Sequence, residues 1–272
     1  MINLENVSYK YKDSKYVLKN INFSVKQGEI VAIVGKNGSG KSTIGKLISG
    51  IIKLKEGKIL IDDIDISKKQ NRKIINSKVG IVFQNPDSQI IFNNIKDEFS
   101  YITDDINVIN EALECVDMLG CEDSDLYYLS LGQKQRIMVA EILARKPKYI
   151  VLDEPTTMID SVGKEKIYNL ILKLKKAGYT IICITNLADE ILLADKTIIL
   201  NNGQVVEEIK RNELIEKAKR FEENEIKIPI ILEILVKLKS QGISLDFNNE
   251  ELTVDTLINK LTLNLTSGRK GV

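Results

Sequence analysis

The chain has 272 residues, 43% hydrophobic and 28% charged, which predicts one large folded domain or a domain plus an appendage. Its 39 Lys and Arg against 38 Asp and Glu leave a formal net charge of +1, which excludes a broad electrostatic hold on nucleic acid. With no histidine at all, no mechanism here rests on an imidazole base, switch or metal ligand.

From the N-terminus, MINLENVSYKYKDS has no apolar segment of the kind that makes a signal peptide. Ile21 to Val25 alternates with period 2 and predicts a strand. Ile30 to Val34 (IVAIV) is a continuous β-branched run, the pattern of a strand buried on both faces. A glycine-rich turn and a helix from Lys41 through Ile48 follow, then short strands at Lys58 to Ile61 and Val79 to Phe83. Residues 93–127 lose the strand pattern and read as polar and helical. Strands return at Tyr149 to Leu152, Thr180 to Ile184 and Thr197 to Leu200, with a helix carrying Ile167, Leu170, Ile171 and Leu174 among them. This alternation predicts an α/β core with a mainly parallel sheet. Asn202-Gly203 marks a hairpin into a strand over Gln204 to Ile209.

After Arg211 the chain becomes highly charged. Two amphipathic helices are then expected. The first begins near Pro229 with a stripe of Ile231, Ile234, Leu235 and Leu238, and the second carries Leu257, Leu261 and Leu265. Cys115, Cys121 and Cys183 have no metal-ligand spacing and predict a reducing, cytosolic setting. No stretch reaches the ~18 uninterrupted apolar residues of a membrane span.

Gly35-Lys36-Asn37-Gly38-Ser39-Gly40-Lys41-Ser42, followed by Thr43, fits G-x-x-x-x-G-K-[ST] between a strand and a helix, the context that makes it a phosphate-binding loop. Glycines let backbone N–H groups curl around phosphate oxygens, and the helix N-terminus adds partial positive charge. Lys41 reaches the outer phosphates, and Ser42 is suited to Mg2+. Tyr149-Ile150-Val151-Leu152-Asp153-Glu154 is an apolar strand ending in two carboxylates. Asp153 is placed to hold Mg2+, and Glu154 to orient or deprotonate an attacking water.

With these two motifs, Leu129-Ser130-Leu131-Gly132-Gln133 makes the chain resemble an ATP-binding cassette (ABC) ATPase, whose signature reads L-S-G-G-Q. The resemblance covers residues 1 to about 210 and implies a P-loop NTPase fold with a RecA-like core and a helical subdomain over about 90–147. It implies that Gln84 is the glutamine-loop residue, near both the metal and the reacting phosphate. It also implies that Tyr11 stacks on adenine, with Tyr9 and Tyr16 as competitors, and that Asp160 belongs to the family's D-loop. Ser130, Gly132 and Gln133 would complete the ATP site of a second cassette packed head to tail. A narrower resemblance follows from Gln84-Asn85-Pro86-Asp87-Ser88-Gln89 and from Pro229, Leu235, Gly242, Ile243, Leu245, Leu252 and Thr253. These are similar to the ATPases of energy-coupling factor (ECF) transporters, where the tail, here 212–265, is a small helical dimerisation domain.

This resemblance implies an ATP-binding subunit of an importer for a vitamin or a transition-metal ion, peripheral on the cytoplasmic membrane face. Its partners would be a second cassette, a transmembrane coupling protein with cytoplasmic helices docked after Gln84, and a membrane protein that captures the substrate. The competing readings are an ATP-binding regulator that does not hydrolyse and a soluble cassette without a transport role. Two departures bear on turnover. Asn186 stands where the family has histidine, and Leu131 where the signature has its first glycine. They affect opposite ATP sites, so they predict a heterodimer with one altered feature in each site, and slowed hydrolysis.

Overall fold

The computed structural model describes residues 1–12, 15–243, 245, 247 and 252–268, without the side chains of 264–268. Ten strands and ten α-helices are found among them. The strands are β1 (Ile2–Lys10), β2 (Tyr16–Val25), β3 (Ile30–Val34), β4 (Glu56–Ile61), β5 (Ile64–Asp65), β6 (Val79–Val82), β7 (Tyr149–Asp153), β8 (Thr180–Thr185), β9 (Lys196–Asn201) and β10 (Gln204–Lys210). The helices are α1 (Lys41–Ile48), α2 (Arg72–Lys78), α3 (Ile95–Ser100), α4 (Ile106–Cys115), α5 (Leu131–Ala144), α6 (Ser161–Lys176), α7 (Ala188–Leu193), α8 (Ala218–Glu223), α9 (Ile230–Ser240) and α10 (Val254–Gly268).

The central sheet has the order β10-β9-β3-β8-β7-β6. Neighbours from β9 to β6 run parallel, and β10 is an antiparallel edge. Residues alternate across this sheet between two cores. Ile30, Ala32 and Val34 face a core built with α4, α5 and α6, whereas Val31 and Ile33 face one built with α1 and the second sheet. Burial on both faces is why IVAIV is apolar throughout. The second sheet is antiparallel, in the order β2-β1-β4-β5.

The sequence pattern did not announce β1. Its inward residues are Ile2, Leu4, Val7 and Tyr9, and the alternation slips by one residue around Asn6, whose φ is 51°. The pairing with β2 shifts register at the same place, so a bulge breaks the period that marks a strand. The polar stretch over 93–127 holds α3 and α4 together with the caps that explain its polarity: Asn94 accepts from Asp97 N, and Asp105 from Asn107 N.

The extension after Arg211 packs on the sheet's α4–α6 side. Leu214, Ala218, Phe221, Leu232, Leu235, Leu252 and Leu257 are buried in the same cluster as the central strands. Asn201 donates to Asn224, and Lys217 pairs with Glu207. Three residues of the expected first stripe, Ile231, Leu235 and Leu238, pack on this cluster, and Leu232 joins them. Leu232 and Leu235 are buried, whereas Ile234 is exposed. Leu257 is buried and Leu261 packs against the same cluster, so these two face their own chain, while the side chain of Leu265 lies outside the described residues. Truncation after Arg211 should therefore uncover apolar surface on the core. Burying each such side chain is worth about 1.5–3 kcal/mol, so melting of the truncated chain should fall by at least about 10 °C. An unchanged melting temperature by calorimetry would make the extension an independent unit.

Candidate functional site

The parallel register decides where the chemistry gathers. Val34 pairs with Thr185, Asp153 with Ile184, and Val82 with Leu152, so β3, β8, β7 and β6 end along one edge. The glycine loop leaves β3, Asn186 follows β8, Asp153 closes β7, and Gln84 stands two residues beyond β6. Ligands of open α/β sheets bind at this carboxyl edge.

In the loop, Gly40 caps α1 at φ 105°, and a Cβ there would sit 2.6 Å from Leu18 Cδ2. A Cβ at Gly35 would lie 2.0 Å from the Leu200 carbonyl oxygen. Both positions thus require glycine to keep the loop tight against the strands. Lys41 donates from Nζ to the carbonyl oxygens of Gly35 (2.8 Å) and Lys36 (3.1 Å). Burial lowers the pKa of its ammonium, while the Glu154 and Asp153 carboxylates act in the opposite direction. The Lys36 side chain turns away and pairs with Glu225 at 2.5 Å, so only its backbone belongs to the cradle. Ser39 Oγ is buried inside the loop without a hydrogen-bond partner.

Ser42 Oγ donates to Asp153 Oδ1 at 2.9 Å. Burial pushes the Asp153 carboxyl up, the Ser42 hydrogen bond pulls it down, and Glu154 adds to the rise. These hard oxygens beside the loop fit Mg2+, and a carboxylate penalised by burial gains from a divalent cation. The glycine cradle, the unpartnered Ser39 hydroxyl and the Lys41 ammonium fit a triphosphate.

Glu154 is held from three sides. Gln84 Nε2 donates to its Oε2 at 2.8 Å, Thr157 Oγ1 to Oε2 at 3.2 Å, and Asn186 Nδ2 to Oε1 at 3.1 Å. Asn186 Nδ2 also donates to Asn37 Oδ1 at 2.5 Å, which ties the glycine loop to Glu154. Asn186 Oδ1 is buried without a partner. The Gln84 amide nitrogen is thus committed to Glu154, which leaves its oxygen for a metal. The Asn37–Asn186 contact was not legible beforehand, because it joins residues far apart in the chain through the direction of their side chains.

Tyr11 stands beside the loop, with its hydroxyl 3.2 Å from Thr43 Oγ1. Its competitors are engaged elsewhere: Tyr9 is buried edge-on against Tyr11, and Tyr16 donates to Glu56. Ser130 caps α5 by accepting from Gln133 N, and Gln133 accepts in return from Ser130 N, a capping box. Leu131 is the first residue of α5 and has no positive φ, so the backbone there does not need glycine. Ser130, Leu131, Gly132 and Gln133 line a separate cavity of about 400 Å³ with Ile159, Asp160 and Gly163. The cavity at the glycine loop, about 310 Å³, is lined by Val17, Asn37, Gly40, Lys41, Gln84 and Glu154, among others, and shares no residue with it. The signature and the loop therefore do not meet within one chain.

Residues 18–157 match the family described as ABC transporter. The energy-coupling factor transporter ATP-binding protein EcfA1 of Oenococcus oeni is 34% identical over 269 residues, covering 94% of this chain and 97% of the relative. EcfA of Malacoplasma penetrans is 37% identical over 269 residues, covering 94% and 93%. Among solved structures, cbiO1 from Clostridium perfringens, part of the ABC transporter complex cbiONQ, superposes with a TM-score of 0.73 at 29% identity, over 86% of this chain and 98% of that one. A dimeric ATP-binding cassette in a post-hydrolysis state with ADP and Pi superposes with a TM-score of 0.69 at 31% identity, over 78% and 99%. With the agreement running through core and extension alike, the chain belongs to the ATP-hydrolysing cassettes of the ABC transporter family, in the group of energy-coupling factor transporter ATP-binding proteins.

Proposed function

We propose that this chain is the ATPase subunit of an ECF importer that couples ATP binding and hydrolysis to uptake of a micronutrient, a vitamin or a transition-metal ion. The observation that carries this reading is the split site: a glycine loop with Glu154 on one cavity, and the signature residues on another. A second cassette packed head to tail brings its signature to this loop and takes this chain's Ser130, Gly132 and Gln133 to its own. The backbone from Gly35 to Thr43 and the Lys41 ammonium bind the phosphates, and Tyr11 stacks on the base. Ser42, Asp153 and the Gln84 oxygen would hold Mg2+, which neutralises phosphate charge when bound. Glu154, fixed by Gln84 and Asn186, orients and deprotonates the attacking water.

The remaining partners are a transmembrane coupling protein seated along the segment after Gln84 and a membrane protein that captures substrate. No helix among the described residues is long and apolar enough to cross a membrane, which fits a peripheral subunit on the cytoplasmic face. Leu257 and Leu261 pack inward, so pairing of cassettes through the extension would use the apolar side chains left exposed on α9 and α10, including Ile234, Val254 and Ile258. Purification of the tagged full chain from membranes should bring down a second cassette and a multi-span protein; recovery of neither would favour a soluble cassette.

Turnover is where this chain departs from its family. The Asn186 amide donates neutral hydrogen bonds but cannot carry charge. Asn186→His should therefore speed hydrolysis at this chain's own glycine loop on the order of tenfold, less than the ~10²–10³ of a contact wholly absent. Leu131→Gly should act on the partner's site, because Leu131 lines the signature cavity. Steady-state ATPase assays of the four combinations with partner in excess separate the two. An unmodified chain as fast as Asn186→His would make Asn186 a full substitute. No turnover in any combination would favour the ATP-binding regulator.

A further inference from the structure

Behind the edge where Glu154 and Asn186 meet lies a buried glutamate that the site as described does not use. Glu190, on α7, is 0% exposed, as are Thr156 and Thr185. Thr156 Oγ1 donates to Glu190 Oε1, and the Thr185 hydroxyl lies close enough to the Glu190 carboxyl to favour its charged form. Thr185 Oγ1 in turn accepts from Leu187 N at 2.8 Å, which closes the turn that carries Asn186. Thr156 lies two residues beyond Glu154, whose backbone sits at φ 51°, a left-handed conformation that a residue other than glycine keeps only when its surroundings impose it. The Glu154 N–H is held by the Ile184 carbonyl oxygen at 2.7 Å. One carboxyl group thus clasps the turn of Glu154 and the turn of Asn186 from behind.

We propose that Glu190 is a positioning residue for ATP hydrolysis, fixing the turns of Glu154 and Asn186 relative to each other through Thr156 and Thr185. The inference rests on the roles proposed above for Glu154 and Asn186. Stability alone gives a poor account of Glu190. Its second oxygen, Oε2, is buried with no partner, and burial pushes the carboxyl up. A half-satisfied buried polar group is costlier than an apolar one of the same shape, and replacing both partners of such a bond with apolar isosteres is nearly neutral or stabilising. A cost kept in the core beside the reacting edge fits a group retained for geometry rather than for folding. Small misplacement of a reacting group is enough to matter, because a shift near 1 Å can cost ~10²-fold in rate.

The test compares Glu190→Met/Thr156→Val, which replaces the two members of the Thr156–Glu190 hydrogen bond with near-isosteres and leaves Thr185 as it is, with Glu190→Gln, all in the full chain assembled with its partner subunits. The double variant should keep or raise the melting temperature and keep the KM for ATP, yet lose about tenfold or more in kcat. Glu190→Gln, whose amide still accepts from Thr156, should recover most of that loss. If the double variant does not fold, Thr156→Val against Thr156→Ser isolates the hydroxyl, and only the valine form should lose kcat. Turnover of the double or the valine variant within about twofold of the unmodified chain would overturn the proposal, as would a loss that merely tracks the melting temperature. Glu154→Gln run alongside separates the two readings. If it turns over normally, the site reading fails and this inference with it. If it is dead while the clasp variants are normal, only the clasp fails.

Discussion

Glu154→Gln should lower turnover of the assembled ATPase by roughly 10²–10⁴-fold, the span of a lost general base, while ATP still binds. The geometry explains why so small a change is severe. The two carboxylate oxygens of Glu154 accept from two different amides, Oε2 from Gln84 and Oε1 from Asn186. A glutamine offers one acceptor oxygen, so one of those amides would face another NH2 group. The substitution therefore removes the carboxylate proposed as the base and also breaks the arrangement that orients it. ATP affinity should survive, because the loop and Lys41 remain. Steady-state hydrolysis together with calorimetric binding reads both halves. Normal turnover would show that another group directs the water.

Lys41→Ala should weaken ATP binding about tenfold or more, since a charge-assisted hydrogen bond is worth roughly 1.5–3 kcal/mol. Lys41 is buried and spends its ammonium on the carbonyl oxygens of Gly35 and Lys36, so it closes the loop on itself. A phosphate competes for the same donors and offers full negative charge where the carbonyls offer dipoles. Burial disfavours the Lys41 cation, and the nearby Glu154 and Asp153 carboxylates only partly offset this. Such an ammonium gains more from an anion than an exposed lysine does. Calorimetric titration with ATP, checked by an unchanged circular dichroism spectrum, is the measurement. Equal affinity in a folded variant would overturn the phosphate-loop reading.

The two substitutions should separate cleanly. On the proposed roles Lys41 acts on binding and Glu154 on the chemical step, although their side chains line one cavity. If a second cassette pairs with this chain as proposed, nucleotide held without turnover in Glu154→Gln should also trap the closed pair. That makes it the variant of choice for detecting the second subunit by sedimentation.

The amino-acid sequence by itself determined which residues make up the loop and the carboxylate pair of the candidate site. The loop Gly35–Ser42 and the carboxylates Asp153 and Glu154 are contiguous motifs, each joined to a strand whose burial shows in an unbroken apolar run. Helix α1 and the first five-residue strand of the central sheet, β3, begin and end where the pattern placed them. Local chemistry suffices there, because backbone hydrogen bonding and glycine conformation act within a few residues. Tertiary structure alone decided what met Glu154. Asn186 reaches both Asn37 and Glu154 only because β3, β8 and β7 run parallel in register, and no spacing in the chain encodes that meeting. The same holds for Glu190, which in the sequence is one of two adjacent acidic residues before an apolar run and is fully buried in the fold. The helical extension shows the limit from the other side. Its amphipathic stripes were legible, but an apolar stripe reports only that something covers it. Packing decided that Leu232, Leu235 and Leu257 turn toward their own sheet, because hydrophobic burial has no direction and takes the nearest apolar surface.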